Sequence, residues 1–155
     1  MKLQQTSIRN NKRDNCFFAP KFSSKEEAIL EFLKDLQKTS KEEVLSMTSI
    51  DENLYCIYPN IIGYGTSLDN TLLADYVKLM KERTNIGLSS IRKKIKSSAF
   101  KIKTLTWEKA RRYEGISGYK PLSIIIENQG KEYEITEIKM VYSMNGTFKV
   151  GVIGF

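Results

Sequence analysis

Histidine is missing from all 155 residues. Its absence excludes Ser-His-Asp and Cys-His catalysis, the histidine-containing zinc sites, and the side chain that most often acts as a general base near neutral pH. Only two cysteines occur, Cys16 and Cys56. A zinc site of four cysteines is therefore impossible, and two thiols are too few for a disulfide scaffold. A bond between them is one alternative. The favoured expectation is two free thiols, Cys56 buried in a strand or turn and Cys16 exposed on a tail. Long apolar runs are lacking too, short stretches such as Ile124 to Ile126 falling far below the about 20 residues of a membrane-spanning helix. Met1 to Arg13 is polar and basic, without the apolar stretch of a secretory leader. The expectation is a cytoplasmic protein, or an exported one whose leader is absent from this chain.

What is present suffices for a folded domain. Hydrophobic residues make up 41% and charged residues 28%, too apolar a mixture for global disorder. A chain of this length buries about two-thirds of the surface its unfolded form exposes, so it folds without a metal or a cross-link. Residues 1–22 read as a flexible tail, since Arg9, Lys12 and Arg13 lie among Gln, Asn and Ser with no periodicity. Phe17, Phe18 and Phe22 are placed to dock its end. Residues 23–155 read as a single α+β domain, a helical N-terminal half packed on a C-terminal antiparallel, curved β-meander.

Ser24-Lys25-Glu26-Glu27 is a capping box, and Ala28, Ile29, Phe32, Leu33 and Leu36 follow at helical spacing. Ser40-Lys41-Glu42-Glu43 repeats the capping pattern and predicts a short helix burying Val44, Leu45 and Met47. Asn53 to Tyr58 reads as extended or irregular, and Pro59 to Gly65 as a loop. A third helix is expected from Ser67 or Asp69, carrying Leu72, Leu73, Tyr76, Val77, Leu79 and Met80. A separate fourth spans about Ile86 to Ser97, its start weakened by Gly87. From Phe100 the period changes to two: Phe100, Ile102 and Thr104 alternate with Lys101 and Lys103. Trp107 to Tyr113 fits a short helix or a continued strand. Strands follow over Leu122 to Glu127, Tyr133 to Tyr142 and Phe148 to Phe155, with Asn145-Gly146 as a type I′ hairpin turn. Both faces of the Tyr133 to Tyr142 segment carry apolar residues, which predicts a strongly bent or unevenly covered sheet.

This order of elements, carried by Phe22 to Met47, Leu54 to Tyr64 and Leu122 to Phe155, resembles the cystatin-like α+β fold, including the nuclear-transport-factor-like superfamily. It also looks like small uncharacterised bacterial envelope proteins of that build. The resemblance covers about half the chain, and the helical block Leu72 to Ala99 is longer than the simple pattern. It implies a curved sheet around a helix with a pocket between them. It implies no activity, because such folds host enzymes and binding modules alike.

Charge is uneven. Lys78 to Arg112 contains twelve basic and two acidic residues, Glu82 and Glu108, in a chain of net charge +7. Arg92, Lys93, Lys94, Lys96, Lys101 and Lys103 are its densest part and the candidates for holding a nucleic acid or an anionic membrane surface. A solvated helix face and the outward side of a strand are the favoured account of them, and no helix-turn-helix, RRM or zinc-finger pattern accompanies them. Tyr55, Tyr58 and Tyr64, with Gly63 and Gly65, are the pocket candidates, their hydroxyls able to orient a ligand; anchoring the loop on the core is the plainer account. Asp69 and Asp75 suit the start of a helix, and Glu127, Glu132, Glu134 and Glu137 are expected to face solvent. No catalytic residue, metal ligand or cofactor is assigned. The expectation is a non-catalytic binding or interaction domain for a ligand or protein partner, with polyanion binding through residues 78–112 as the alternative.

Overall fold

The computed structural model describes residues 2–38, 44–95 and 99–154. Helices α1 (Lys2–Asn10), α2 (Lys25–Lys38), α3 (Ile50–Glu52), α4 (Tyr58–Ile61) and α5 (Leu73–Ile95) precede seven strands, β1 (Phe100–Trp107), β2 (Arg111–Arg112), β3 (Ser117–Tyr119), β4 (Pro121–Asn128), β5 (Lys131–Glu134), β6 (Ile138–Met144) and β7 (Thr147–Ile153). The fold is α+β, with antiparallel pairing between these strands. They form two sheets, ordered β1-β4-β5 and β2-β3-β6-β7.

The central helix is α2. Ser24 starts it, its hydroxyl accepting the Glu27 N–H at 3.0 Å. Glu27 reaches back one residue further than a standard box, accepting from the Ser23 N–H at 3.1 Å. Its expected apolar face is fully buried, and the side chains from Ile29 to Leu36 meet Leu88, Ile91 and Ile95 of α5, Ile124 and Ile126 of β4, and Val141 and Val150 of β6 and β7. Each such large side chain contributes about 1.5–3 kcal/mol by leaving water.

Residues expected as two helices over 67–97 form a short 3₁₀ turn, Ser67–Asn70, and then one helix, α5. Gly87 does not weaken a start. It lies mid-helix where α5 crosses the end of β7, and a Cβ there would meet Ile153 Cγ2 at 2.5 Å and the Gly154 nitrogen at 3.3 Å. The glycine is retained for close approach despite its cost in a helix. Asn53–Ile57 is a π-helical segment leading into α4, not an extended one. The second capping box, Ser40 to Glu43, lies outside the described residues. Val44 to Met47 is not helical, Leu45 is 70% exposed, and Met47 bridges Val150 in parallel.

Both tight hairpins have two residues at positive φ, 53° and 77° at Gln129-Gly130 and 50° and 77° at Asn145-Gly146, as a type I′ turn requires. The segment expected as one strand from Tyr133 to Tyr142 is divided. Lys131–Glu134 pairs with β4, and Ile138–Met144 pairs with β3 and β7. Changing sheets, and the register shifts around Met140, send Ile135, Ile138 and Val141 to the α2 core and Met140, Tyr142 and Met144 to a second one. Glu137 lies in that crossover and, contrary to expectation, is only 2% exposed. The Ser90 hydroxyl donates to its Oε2, and Lys94 Nζ lies 3.0 Å from each carboxylate oxygen. Burial alone would raise its pKa, but the Ser90 and Lys94 hydrogen bonds hold it below the usual carboxylate value.

The largest departure is at the N-terminus. Residues expected as an aperiodic tail form α1 and a packed segment, with Ile8 and Phe18 buried in the second core beside Ile57, Ile61 and Leu68. Hydrogen bonds to distant backbone replace periodicity. The Gln4 amide donates to Thr71 O and accepts from the Leu73 N–H, each at 2.9 Å, so it caps α5 from outside. The Arg13 N–H donates to Tyr55 O at 2.9 Å and the Phe18 N–H to Thr147 Oγ1 at 3.0 Å. Cys16 and Cys56 are disulfide-bonded, 40 residues apart, which corrects the expectation of two free thiols. The packed segment carries Cys16 to the π-helical segment that holds Cys56.

Candidate functional site

A half-open cleft of about 820 Å³ lies between the two helical parts and the sheet of β6 and β7. One wall is the irregular segment from Val44 through α3 to Leu54. The facing wall is α5, which turns Tyr76, Val77, Met80, Lys81 and Thr84 into the cleft. The floor is Tyr142 on β6 with Lys149, Gly151 and Val152 on β7, closed at one side by Tyr58. No helix among the described residues is long and apolar enough to cross a membrane.

Hairpin register builds the floor. Counting outward from the Asn145-Gly146 turn, Met144 faces Thr147, Ser143 faces Phe148 and Tyr142 faces Lys149, so Tyr142 and Lys149 are cross-strand neighbours on one face of the hairpin. Gly151 lets the Tyr142 ring lie flat, since a Cβ there would collide with Cδ2 and Cε2 of that ring. Tyr58 meets Tyr76 edge to face, centroids 5.4 Å apart at 82°, a favourable quadrupole geometry. Burial raises the pKa of Tyr58, Tyr76 and Tyr142 above the ordinary tyrosine value. Their proximity adds to this for Tyr58 and Tyr142, because two phenolates would repel. All three are therefore neutral hydroxyls at physiological pH.

Lys149 is 2% exposed. Its Nζ donates to Ala19 O at 2.6 Å and to Glu52 Oε1 at 2.8 Å. Glu52 is held by its own helix start: the Ser49 N–H donates to Oε1 at 2.9 Å and the Ser49 hydroxyl accepts the Glu52 N–H at 3.0 Å, a reciprocal capping box. The buried ammonium thus ties the N-terminal segment and α3 to the sheet.

Of the three tyrosines singled out in sequence, Tyr58 lines the cleft. The Tyr55 ring instead lies under the Arg13 guanidinium, 4.2 Å from centroid to Cζ. Tyr64 is half exposed and packs edge-on against Tyr113, centroids 5.5 Å apart. The glycine loop beside it is closed by Asp69, whose carboxylate accepts from the Gly63 and Gly65 N–H groups at 2.6 and 2.9 Å. Tyr142, Lys149 and Glu52 were not singled out. Only the hairpin turn offered a signal, through the register that pairs the first two.

Among the basic candidates, Lys94 is paired with Glu137, and Lys103 with Glu127 and Glu132 at 3.1 and 2.8 Å. Those carboxylates raise the Lys103 pKa, the Glu132 hydrogen bond most. Arg92 is half-buried, Lys93 and Lys101 are exposed, and Lys96 lies outside the described residues. Among the described residues no group of three or more Cys, Asp and Glu is placed to hold a metal ion. No protein-family model, characterised protein or solved structure matches this chain.

Proposed function

We propose that the protein is a non-catalytic binding domain whose ligand occupies the cleft between α5, the 44–58 segment and the β6–β7 hairpin. The observation that carries this reading is the cleft's composition. Its volume, about 820 Å³, falls in the range of small-molecule sites, and it combines aliphatic walls with a few fixed polar groups. Val77, Met80 and Val152 line the apolar part; Tyr58, Tyr142 and Lys149 supply the polar end. Leu45 and Ile50 are 70% and 58% exposed at the rim, apolar surface that a bound molecule would cover. The cystatin-like resemblance supports the same expectation of a pocket. Against catalysis stands the state of the polar groups: Glu52 is salt-bridged to Lys149, the phenols are held neutral, and Asp51, the other carboxylate lining the cleft, is exposed to solvent on its wall, so neither a buried free base nor an activated nucleophile is present at the floor.

The test uses Nile red, an uncharged dye that fluoresces in apolar surroundings. Saturable enhancement is expected with the wild type and should be lost in Val77→Trp, which fills the cleft from α5. Equal enhancement in both proteins, or none in the wild type at all, contradicts the reading.

A further inference from the structure

We infer that the cleft selects uncharged amphipathic molecules bearing a hydrogen-bond acceptor, such as esters and amides with an aliphatic chain, and discriminates against carboxylates of the same shape. This rests on the binding reading above and names the ligand class for it.

The floor offers donors. An ammonium has three N–H bonds; among the described residues Lys149 directs two of them to Ala19 O and Glu52 Oε1, which leaves one for a group in the cleft that it lines. Tyr142 is its cross-strand partner, and Tyr58 closes the same end. Both phenols retain their protons because burial opposes ionisation. A carbonyl or ether oxygen delivered to the polar end accepts from the Lys149 ammonium, with the Tyr58 and Tyr142 hydroxyls as further donors lining the same cleft. A ligand that offers only donors leaves them unmatched, and an unmatched buried polar group is costly.

Charge then separates neutral acceptors from anions. The Lys149 ammonium is already neutralised by Glu52 at 2.8 Å. A carboxylate brought to its third N–H would be buried next to a second carboxylate, with one positive charge between them. Removing an ion from water is favourable only with full compensation, and that compensation is absent here. The cations at the mouth do not supply it. Lys81 is exposed on α5, and Arg13 is exposed too, its guanidinium stacked on Tyr55; solvent screens both. The apolar walls favour the chain equally in either ligand, so the head group decides.

Displacement of Nile red by methyl decanoate and by sodium decanoate at pH 8, both below their aggregation limits, tests the inference. The ester should displace the dye at a concentration at least about tenfold lower than the carboxylate, a difference of about 1.4 kcal/mol. Glu52→Gln sharpens the test, because glutamine still accepts from Lys149 and the Ser49 N–H but leaves the ammonium uncompensated. In that variant the preference should turn toward decanoate. Equal or stronger displacement by decanoate in the wild type overturns the inference, as does an unchanged ratio in Glu52→Gln. Should Glu52→Gln not fold, the wild-type ratio alone decides. In all these outcomes the cleft reading stands, provided that the dye is excluded by Val77→Trp. Failure of Nile red to bind the wild type overturns both.

Discussion

Around α2, packing comes from side chains spaced at the period of a helix or a strand. Around Tyr142, one face of β6 and of α5 is completed by segments with no period, residues 2–18 and 53–62, held by a disulfide, edge-on rings and hydrogen bonds from side chains to distant backbone. The first core contains Phe32, Leu33 and Ile91 on helices and Ile124, Ile126 and Val150 on strands. The second gathers Ile8, Phe18, Ile57, Leu68 and Tyr142. Most of the core residues that line the cleft, such as Tyr58, Tyr76, Met80 and Tyr142, belong to the second, with Val44, Met47 and Ile153 from the first. A regular core fixes a scaffold, and the irregular layer over its other sheet face carries polar groups at positions that no repeating pattern would specify.

If the first core is the folding unit, its loss should be global. Phe32→Ala removes a fully buried ring from the core to which both sheets contribute, and is expected to cost about 3–5 kcal/mol. Urea unfolding followed by far-UV circular dichroism should show the midpoint falling, and Nile red binding should vanish in the same transition. A variant that lost dye binding yet kept its midpoint would break the comparison by making the two cores equal.

The disulfide should act more locally. Closing a loop of 40 residues stabilises by about 2–4 kcal/mol in the chain-entropy picture. Cys16→Ser is expected to lower the unfolding free energy by that amount, and the thermal midpoint with it. Hydrogen exchange should rise in residues 2–22 and 53–61 while the α2 amides stay protected. Equal loss of protection in α2 would show that the layers unfold together.

How much of this was legible in sequence follows the same division. The buried face of α2, the Asn145-Gly146 turn, and the inward positions Leu88, Ile91 and Ile95 follow from period and turn chemistry, and the structure has them. The N-terminal segment was not legible, because Gln4, Arg13 and Phe18 gain their places through partners 42 to 129 residues away. Tyr58 was named together with Tyr55 and Tyr64 from the aromatic-glycine loop, and of the three it is the one lining the cleft; Lys149 was missed because a lysine on a strand ordinarily faces water. Glu137 misled for the same reason. Its burial depends on Lys94 and Ser90 of α5, which sequence does not bring near.

Titration should separate the regions from opposite ends of the pH scale. Glu137 has a lowered pKa in the folded state. Its contribution is therefore complete above the ordinary carboxylate value near 4.5, and is lost as pH falls below it toward the folded pKa. Glu137→Gln should cost about 1–3 kcal/mol at neutral pH and flatten the acid limb of a stability–pH profile. Tyr58 and Tyr142 have raised pKa values. Their contribution is complete below the ordinary tyrosine value of 10.0 and declines as pH rises above it. Tyr142→Phe should soften the alkaline limb alone. A single variant that altered both limbs would show the two regions to be electrostatically coupled.

The smallest effect is expected on the outer surface of the first core, where α5 and β1 carry the basic block. Lys93→Glu with Lys101→Glu changes two exposed side chains and should leave stability within about 0.5 kcal/mol. Binding to a DNA duplex then tests whether this surface is as inert as its packing suggests. Each duplex phosphate neutralised contributes about −0.9 to the slope of log affinity against log salt. Lys94 and Lys103 are engaged with Glu137, Glu127 and Glu132. If they stay so, the other four candidates, Arg92, Lys93, Lys96 and Lys101, account for a slope no steeper than about −3.6, and the double variant should roughly halve it. A slope near −5, about what all six candidates would give together, would mean that Lys94 and Lys103 leave their carboxylates for phosphate. Releasing Lys94 would leave Glu137 buried without its cation, so such binding should also destabilise the crossover between β5 and β6, detectable as faster exchange at Ile135 and Ile138. A steep slope with that exchange signature would move the functional surface from the cleft to the opposite core; a shallow one keeps it where the buried Lys149–Glu52 pair and the tyrosines are.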